Sequence, residues 1–544
     1  MGNVRGNRNN SGQTPIRAIW GLSLIILCGA AGAEPPADLD ARVQRAMQAH
    51  ATYRPPGLAL AIVEDGKVTV AKGYGLKTTG QKAAIDEHTL FPMGSCGKAF
   101  TALTLALLVD EGKLAWEDKV VDKLPGFRLY DPYATAELTV RDLLVHRSGL
   151  GTGAGDLLVI GDSTISRREL VHQLRYIKPA YGFRERFAYD NVLYAVAGQL
   201  VEQVSGMSWE AFVEKRIFAP LGMKDSAVNS GVAVKRRNHA SLHARLDGPL
   251  RGLGTLTTID AKGEDSIAIG PAGSIWSSAA DIAKWLQVQL GRGKIAGGKP
   301  LFTERQSTEM WTPVVIDDDA YAAFPMLDPR KPVLSGYALG WTVEDYRGHK
   351  VIQHAGFVFG GKAVVVLVPE KNLGLALMVN SEDGAPRWSL VYQLLDHYLG
   401  LPPIDWDERY RDAVDMIANR GLEALKSLPA APAPGAGGGA GPSLPLARYA
   451  GVYRDPWYGT VTITEAKGGL RVQFQRQPSM RGALEHVQHD TFRTRFENRN
   501  VEDAYVTFAL EPDGSIREAR LKAVSPLADF SFDYQDLLLT PVRN

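Results

Sequence analysis

The sequence predicts an α/β layered domain followed by a small all-β domain, and three observations carry that reading. Strand-like runs at 57–75 and again at 337–380 bracket a stretch dominated by helical patterns. An uncharged Pro/Gly/Ala-rich segment, "PAAPAPGAGGGAGPSLP" at 429–445, then interrupts the chain. Beyond it, 446–544 shows short alternating runs separated by turn residues.

Each element has its own physical basis. In "GLALAIVEDGKVTVAKGYG" (57–75) apolar residues alternate on both sides of Asp65-Gly66, a hairpin signal. After Ser95, "CGKAFTALTLALLVDEGKL" places Phe100, Leu103, Leu107 and Leu108 at helical spacing, and Gly112 marks the end. "NVLYAVAGQLVEQVSG" (191–206) and "AADIAKWLQVQLG" (279–291) predict two further helices. In 337–380, strand-like runs alternate with glycines and a Pro-Glu-Lys-Asn turn, so one sheet combines the early and late strands of the domain. The segment 429–445 has linker composition. In 446–544, "GTVTITE", "GLRVQFQ" and "AYVTFALEPDGSIREARLK" alternate, with Asp513-Gly514 at a turn, which suggests a small barrel or a sandwich.

The 544 residues exceed one ordinary core, and the expected domains are 34–428 and 446–544. A net charge of +1 supplies no electrostatic footprint for nucleic acid or an anionic membrane, so function must reside in a local site. Arg5, Arg8 and Arg17 accompany an apolar run, 18–33, that ends in Ala31-Gly32-Ala33. This is the pattern of an export signal over 1–33, with a mature chain from Glu34 in the periplasm or outside the cell. The run falls short of the roughly 20 residues of a bilayer span, so no stable membrane insertion is expected after cleavage; an uncleaved anchor is the alternative. Leu27 before Cys28 is too bulky for a bacterial lipoprotein. Cleavage removes Cys28, which leaves Cys96 as a single thiol and allows no intrachain disulfide.

Chemistry concentrates in three short motifs. Ser95 and Lys98 form an S-x-x-K, with both side chains on one helix face. A desolvated lysine gives up its proton more easily and can serve as base to a nearby hydroxyl. The start of a helix also offers N–H groups to an oxyanion. Tyr189-Asp190-Asn191 is a Y-x-N on a loop entering a helix, and His354-Ala355-Gly356 is an H-x-G inside a late strand. Cys96 sits about 160° from Lys98 around a regular helix, which makes it a small buried packing residue rather than a second nucleophile. The bland alternatives are an N-cap for Ser95, a buried aromatic for Tyr189 and structural roles for His354 and His146. The histidines show no metal-ligand spacing and H-E-x-x-H is missing, so no metal or cofactor is expected, and the missing G-x-S-x-G argues against an ordinary α/β-hydrolase.

In this order the motifs resemble those of the class C β-lactamase-like serine hydrolases, the group of penicillin-binding-protein-related esterases and peptidases. The resemblance runs through "LFPMGSCGKAFTALTLALLVDEGKL", "LTVRDLLVHRSGL", "WEAFVEKRIFAPLGM" and "GPAGSIWSSAADIAKWL". It implies a β-lactamase/transpeptidase-like fold, an antiparallel sheet flanked by helices with a helical subdomain. "YAGVYRDPWYGTVTI" is more loosely similar to the lipocalin-like β-domain appended to some members. The resemblance implies that Ser95 is acylated, that Lys98 either accepts its proton or holds Tyr189 ionised, and that Tyr189 protonates the leaving group and activates water. It further implies that Asn191 hydrogen-bonds the substrate and that Gly356 and Phe357 lie at the oxyanion, bound by the N–H groups of Ser95 and Phe357. His354, expected among the catalytic residues with Ser95, Lys98 and Tyr189, stands where a lysine is usual and is expected to be part-charged near neutrality. Ala355 lacks the hydroxyl that helps hold a β-lactam or peptide carboxylate. The expected function is therefore an acyl-enzyme hydrolase of the carboxylesterase or D-amino-acid peptidase type, acting on a small-molecule or peptide substrate. A penicillin-binding or ligand-binding protein with little turnover is the alternative. The C-terminal domain is expected to cap the site, bind a ligand or mediate homo-oligomerisation.

Overall fold

The computed structural model describes residue 2 and residues 34–261, 266–295, 297–317, 325–426, 441–466 and 468–543. The expected export signal, apart from Gly2, and 429–440 of the expected linker lie outside the described residues. Pro35–Asn544 forms one compact unit.

An eight-stranded antiparallel sheet organises the first part of that unit. Its strands are β1 (Gly57–Glu64), β2 (Lys67–Gly75), β3 (Val315–Ile316), β4 (Ser335–Tyr337), β5 (Thr342–Tyr346), β6 (His349–Val358), β7 (Gly361–Val368) and β8 (Leu373–Val379). They lie in the order β2-β1-β8-β7-β6-β5-β4-β3, so the first hairpin closes against the last strand, with Leu58 opposite Val379. Asp65 and Gly66 both take positive φ, 48° and 77°, as a two-residue hairpin requires.

The unbroken apolar run of β1 follows from burial on two faces. Leu58, Leu60 and Ile62 face the cluster that contains Leu39, Val43, Leu390 and Leu394, from the helices Leu39–Gln48 and Ala385–Leu399. Ala59, Ala61 and Val63 face the cluster built around three central helices, α1 (Lys98–Asp110), α2 (Val192–Ser205) and α3 (Ala279–Leu290). Helix α1 is buried all round, at every residue from Lys98 to Leu108, and not only along the Phe100/Leu103/Leu107 face that its periodicity shows. Its first residue, Lys98, therefore sits inside the protein. Among the described residues no helix is long and apolar enough to cross a membrane.

The C-terminal domain is a closed barrel of eight antiparallel strands, from Gly451–Asp455 to Leu538–Pro541. Its first and last strands pair, Tyr453 opposite Pro541, which decides for a barrel over a sandwich. The aromatic residues Tyr449, Tyr453, Phe474, Phe492 and Phe508 fill its interior. Ser443 belongs to the expected linker, yet its N–H and hydroxyl already bond the Asp490 carboxylate of the barrel at 3.0 and 2.9 Å.

The barrel is seated on the 153–169 segment of the first domain. Asp533 accepts from the N–H groups of Gly155 (2.7 Å) and Leu157 (2.9 Å), while Gln477 donates to Leu157 O. Asp162 accepts from the Ser479 hydroxyl at 2.6 Å, and Arg476 pairs with Glu169 at 2.7 Å. Asp533 is fully buried, and burial together with the nearby Asp156 pushes its carboxyl well above the usual range. Asp533→Ala should orphan two buried backbone donors, at about 1–3 kcal/mol each. A lowered thermal midpoint is the expected result, and an unchanged melting curve would refute this account of the seat.

Candidate active site

Ser95 lies in a 3₁₀ turn, Gly94–Gly97, and the α-helix starts only at Lys98. The N-cap position belongs to Gly97, with no side-chain capping bond, so Ser95 is not a capping residue. In 3₁₀ geometry residues i and i+3 eclipse, which brings the Ser95 and Lys98 side chains together. The turn is tight because the backbone of β6 presses on it. A Cβ on Gly356 would come within 1.9 Å of Met93 O, and one on Gly94 (φ 50°) within 2.6 Å of Phe357 N. Glycine at these two positions lets the Ser95 turn and the strand meet, backbone against backbone.

Lys98 is fully buried. Its Nζ lies 3.0 Å from Ser95 Oγ, 2.7 Å from Asn191 Oδ1 and 3.0 Å from Ala272 O. It also sits over the rings of Tyr189 (4.8 Å) and Tyr194 (5.1 Å). Burial pulls the Lys98 pKa from 10.5 down to about 7, opposed by the charges of Asp156 and Asp190. Two of its neighbours, Asn191 Oδ1 and Ala272 O, are acceptors that claim two N–H bonds. The third direction points at Ser95 Oγ, and in the neutral amine that direction holds the lone pair.

Tyr189 is placed by its backbone. Gly153 N–H donates to Tyr189 O at 2.8 Å, and Ala188 N–H donates to His146 O at 2.8 Å. Its phenol is hydrogen-bonded to Ser95, and burial drives its pKa far above the usual tyrosine value, so it stays protonated. His146 packs beneath it, with ring centroids 4.2 Å apart, and accepts from Asp190 N–H at 3.1 Å. Burial and Lys98 keep His146 neutral.

Asn191 stands at the start of α2 with both ends of its amide engaged. Its Nδ2 donates to Asp156 Oδ2 at 2.8 Å, which turns Oδ1 towards Lys98. Asp156 Oδ2 also accepts from the Ser531 hydroxyl of the barrel at 2.9 Å. Burial raises Asp156 and Asp190 to about 7 each, so Lys98 and two carboxyl groups titrate in one range.

His354 corrects the sequence expectation of a part-charged group. Burial, reinforced by Lys98, pushes its pKa down to about 3, and the ring is neutral. Its Nδ1 lies 2.7 Å from Ala355 O, which can only accept, so Nδ1 carries the proton. Nε2 then accepts from the Tyr337 hydroxyl at 2.7 Å. Cys96 is buried and its Sγ donates to His354 O at 3.1 Å, while burial pushes the thiol up to about 12. It packs the site and is no nucleophile at neutral pH.

Ser95 opens onto two cavities. One of about 690 Å³ is also lined by Tyr189, Asn191, His354, Phe357 and Lys362, and by Asp529, Phe530 and Ser531 of the barrel. The other, about 130 Å³, is lined by Asp156, Ile269, Ala272 and Ser531 among others. Phe530 meets the Tyr189 ring edge-on at 5.8 Å. Of the three roles open to the second domain, forming a wall of the site is the one these contacts display. Asp156, Tyr337, Phe530 and Ser531 were not legible in the sequence. The one available trace of Asp156 is the Gly-rich "GTGAGD" at 151–156, which reads only as a loop.

Residues 39–390 match the Beta-lactamase family. The chain belongs to that family. Residues 437–541 match a domain of unknown function, DUF3471, which here is the barrel. The chain is 28% identical over 507 residues to "Unguisins hydrolase ungD" of Aspergillus violaceofuscus, covering 88% of this chain and 86% of that protein. It is also 28% identical to "Penicillin-binding protein 4" of Amycolatopsis lactamdurans, over 60% of this chain and 81% of that protein. Among solved structures, the octameric penicillin-binding protein homologue from Pyrococcus abyssi superposes with a TM-score of 0.56 at 22% identity, covering 89% of this chain and 98% of that one. A class C beta-lactamase gives 0.52 at 21% identity, over 66% and 94%. These neighbours share the fold of this Beta-lactamase family member.

Lys98 is expected to titrate near pH 7 in the folded chain, followed by ¹⁵N NMR of Nζ in lysine-labelled protein and assigned with Lys98→Arg. A midpoint near the ordinary 10.5 would contradict the burial argument.

Proposed function

We propose that the protein is an exported serine hydrolase that cleaves an ester or amide through an acyl-enzyme at Ser95, of the carboxylesterase or D-amino-acid peptidase type. The single observation that carries the reading is the fully buried Lys98 amine 3.0 Å from Ser95 Oγ, with its pKa pulled to about 7. Above that pH the neutral amine takes the Ser95 proton as Oγ attacks the carbonyl carbon. The N–H groups of Ser95 and Phe357 receive the oxyanion. Tyr189, held protonated, hands a proton to the leaving group as the C–O or C–N bond breaks, and Lys98 returns one to Tyr189. Water then attacks the acyl-enzyme, losing its proton to the same Lys98–Tyr189 pair, and Ser95 is regenerated. The elevated phenol pKa favours Lys98 over a Tyr189 phenolate as the working base. Asn191 fixes Lys98 and lines both cavities. His354, with both nitrogens taken by Ala355 O and Tyr337, is read as a positioning residue for the β6 edge.

Ala355 offers no hydroxyl to a substrate carboxylate, which disfavours efficient β-lactam hydrolysis. Export is supported by the basic start and apolar run of 1–33. Self-association is supported by the octameric assembly named for the Pyrococcus homologue.

A fluorophosphonate should label Ser95. Ser95→Ala should abolish both labelling and turnover, and Cys96→Ala should retain them; labelling that survives Ser95→Ala overturns the reading. On a panel of nitrophenyl esters, D-amino-acid amides, D-Ala-D-Ala peptides and nitrocefin, esters or D-amides should turn over fastest, with kcat/KM rising as pH passes through about 7. Lys98→Ala should lower kcat/KM by about 10²–10⁴-fold. A burst of acylation without steady-state turnover would favour the penicillin-binding alternative.

A further inference from the structure

We infer that Asp156, clamped by Ser531 of the C-terminal barrel, is a positioning residue that sets the proton affinity of Lys98, so that the barrel completes the catalytic machinery. This rests on the hydrolase reading of Ser95 and Lys98.

An unbroken hydrogen-bonded chain carries it. The Ser531 hydroxyl donates to Asp156 Oδ2 (2.9 Å), Asn191 Nδ2 donates to the same oxygen (2.8 Å), and Asn191 Oδ1 accepts from Lys98 Nζ (2.7 Å). An amide can present either end to a lysine. Asp156 is an acceptor, so it fixes which end of Asn191 faces Lys98. Without that fix, a flipped Asn191 would place its NH₂ group against the amine and leave Lys98 one acceptor short.

Asp156 is also a choice that stability alone does not explain. It is buried, and its Oδ1 has no hydrogen-bond partner among the described residues. A buried carboxyl oxygen left unpartnered destabilises a fold, and such groups concentrate where chemistry needs them. Burial raises the Asp156 pKa, while the Asn191 and Ser531 hydrogen bonds and the Lys98 charge hold it down. The groups that face it are Lys98 from α1, Asp190 from the loop before α2, and Asp529 and Asp533 from the barrel. Of these, Lys98 is the cation, and its ammonium form is favoured when Asp156 is ionised.

The sign of the coupling follows. Replacing Asp156 by asparagine keeps an acceptor for Asn191 Nδ2 and removes the negative charge. Lys98 then loses its proton more readily, and its titration moves to lower pH. Removing the Ser531 hydroxyl withdraws a hydrogen bond that favours the ionised Asp156, and so shifts Lys98 in the same direction by less.

The test is the Lys98 Nζ titration by ¹⁵N NMR in the intact chain. Asp156→Asn should lower the midpoint by about one pH unit and Ser531→Ala by a smaller amount. The acid limb of kcat/KM on a nitrophenyl ester, and of the fluorophosphonate labelling rate, should move down in parallel. A Lys98 midpoint that stays at the wild-type value in both variants overturns the inference. If Asp156→Asn fails to fold, Ser531→Ala, which removes one oxygen, decides alone. The NMR midpoint needs no turnover, so a wild-type chain that neither labels nor hydrolyses sinks the hydrolase reading without masking this result.

Discussion

The structure turns on one ammonium-bearing side chain held out of water beside a hydroxyl. Taking a charge into a protein interior is so unfavourable that the group releases its proton at a far lower pH, unless close partners oppose the loss. Lys98 has partners enough to be held still and too little compensating charge to stay protonated with ordinary affinity. That balance requires the start of α1 to lie in the centre of the molecule. The all-round burial of the helix accompanies this, with every residue from Lys98 to Leu108 buried.

The same requirement explains how the strand β6 is built. The N–H groups read as the oxyanion site belong to two different elements, the turn at Ser95 and the strand at Phe357. They converge only if two backbones touch. Gly94 and Gly356 make that contact sterically feasible, and Cys96 ties the turn to the strand through His354 O. His354 is neutral and its nitrogens are occupied, so it adds no charge beside Lys98, Asp156 and Asp190, while Arg387 donates to Gly356 O of the same strand at 3.0 Å. The barrel then enters from outside the sheet. Asp533 anchors its loop on the backbone at Gly155 and Leu157, which sets Ser531 on Asp156 and Phe530 on Tyr189. The two domains thus share one hydrophobic cluster and one set of hydrogen bonds beside Ser95 and Lys98.

Much of the first layer was legible because it obeys short-range rules. The Asp65-Gly66 hairpin, the helix ending at Gly206 and the helix starting after Ser278 each carry their own turn or cap chemistry. S-x-x-K, Y-x-N and H-x-G could be placed by spacing, and the structure brings all three into one cavity wall. What the pattern misjudged depends on depth. Periodicity assigns α1 one buried face, but burial on every face comes from what packs around it. Histidine 354 was read from its solution behaviour, whereas its charge is set by the surroundings of β6. Asp156 and Ser531 are separated by 375 positions, and a polar residue in a Gly-rich loop has no local mark that it will be buried beside a lysine.

The sequence by itself determined the layered α/β domain and the β-rich domain and singled out Ser95, Lys98 and Tyr189 as candidate site residues, because backbone geometry, apolar periodicity and residue chemistry act over a few positions. Only the tertiary structure decided that Ser95 sits in a 3₁₀ turn, that the pKa of Lys98 is pulled down to about 7 while Tyr189 stays protonated, and that the barrel reaches the site. Proton affinity depends on the water, charge and hydrogen bonds that surround a group. Those are supplied by residues from distant parts of the chain, and they exist only once the chain has folded.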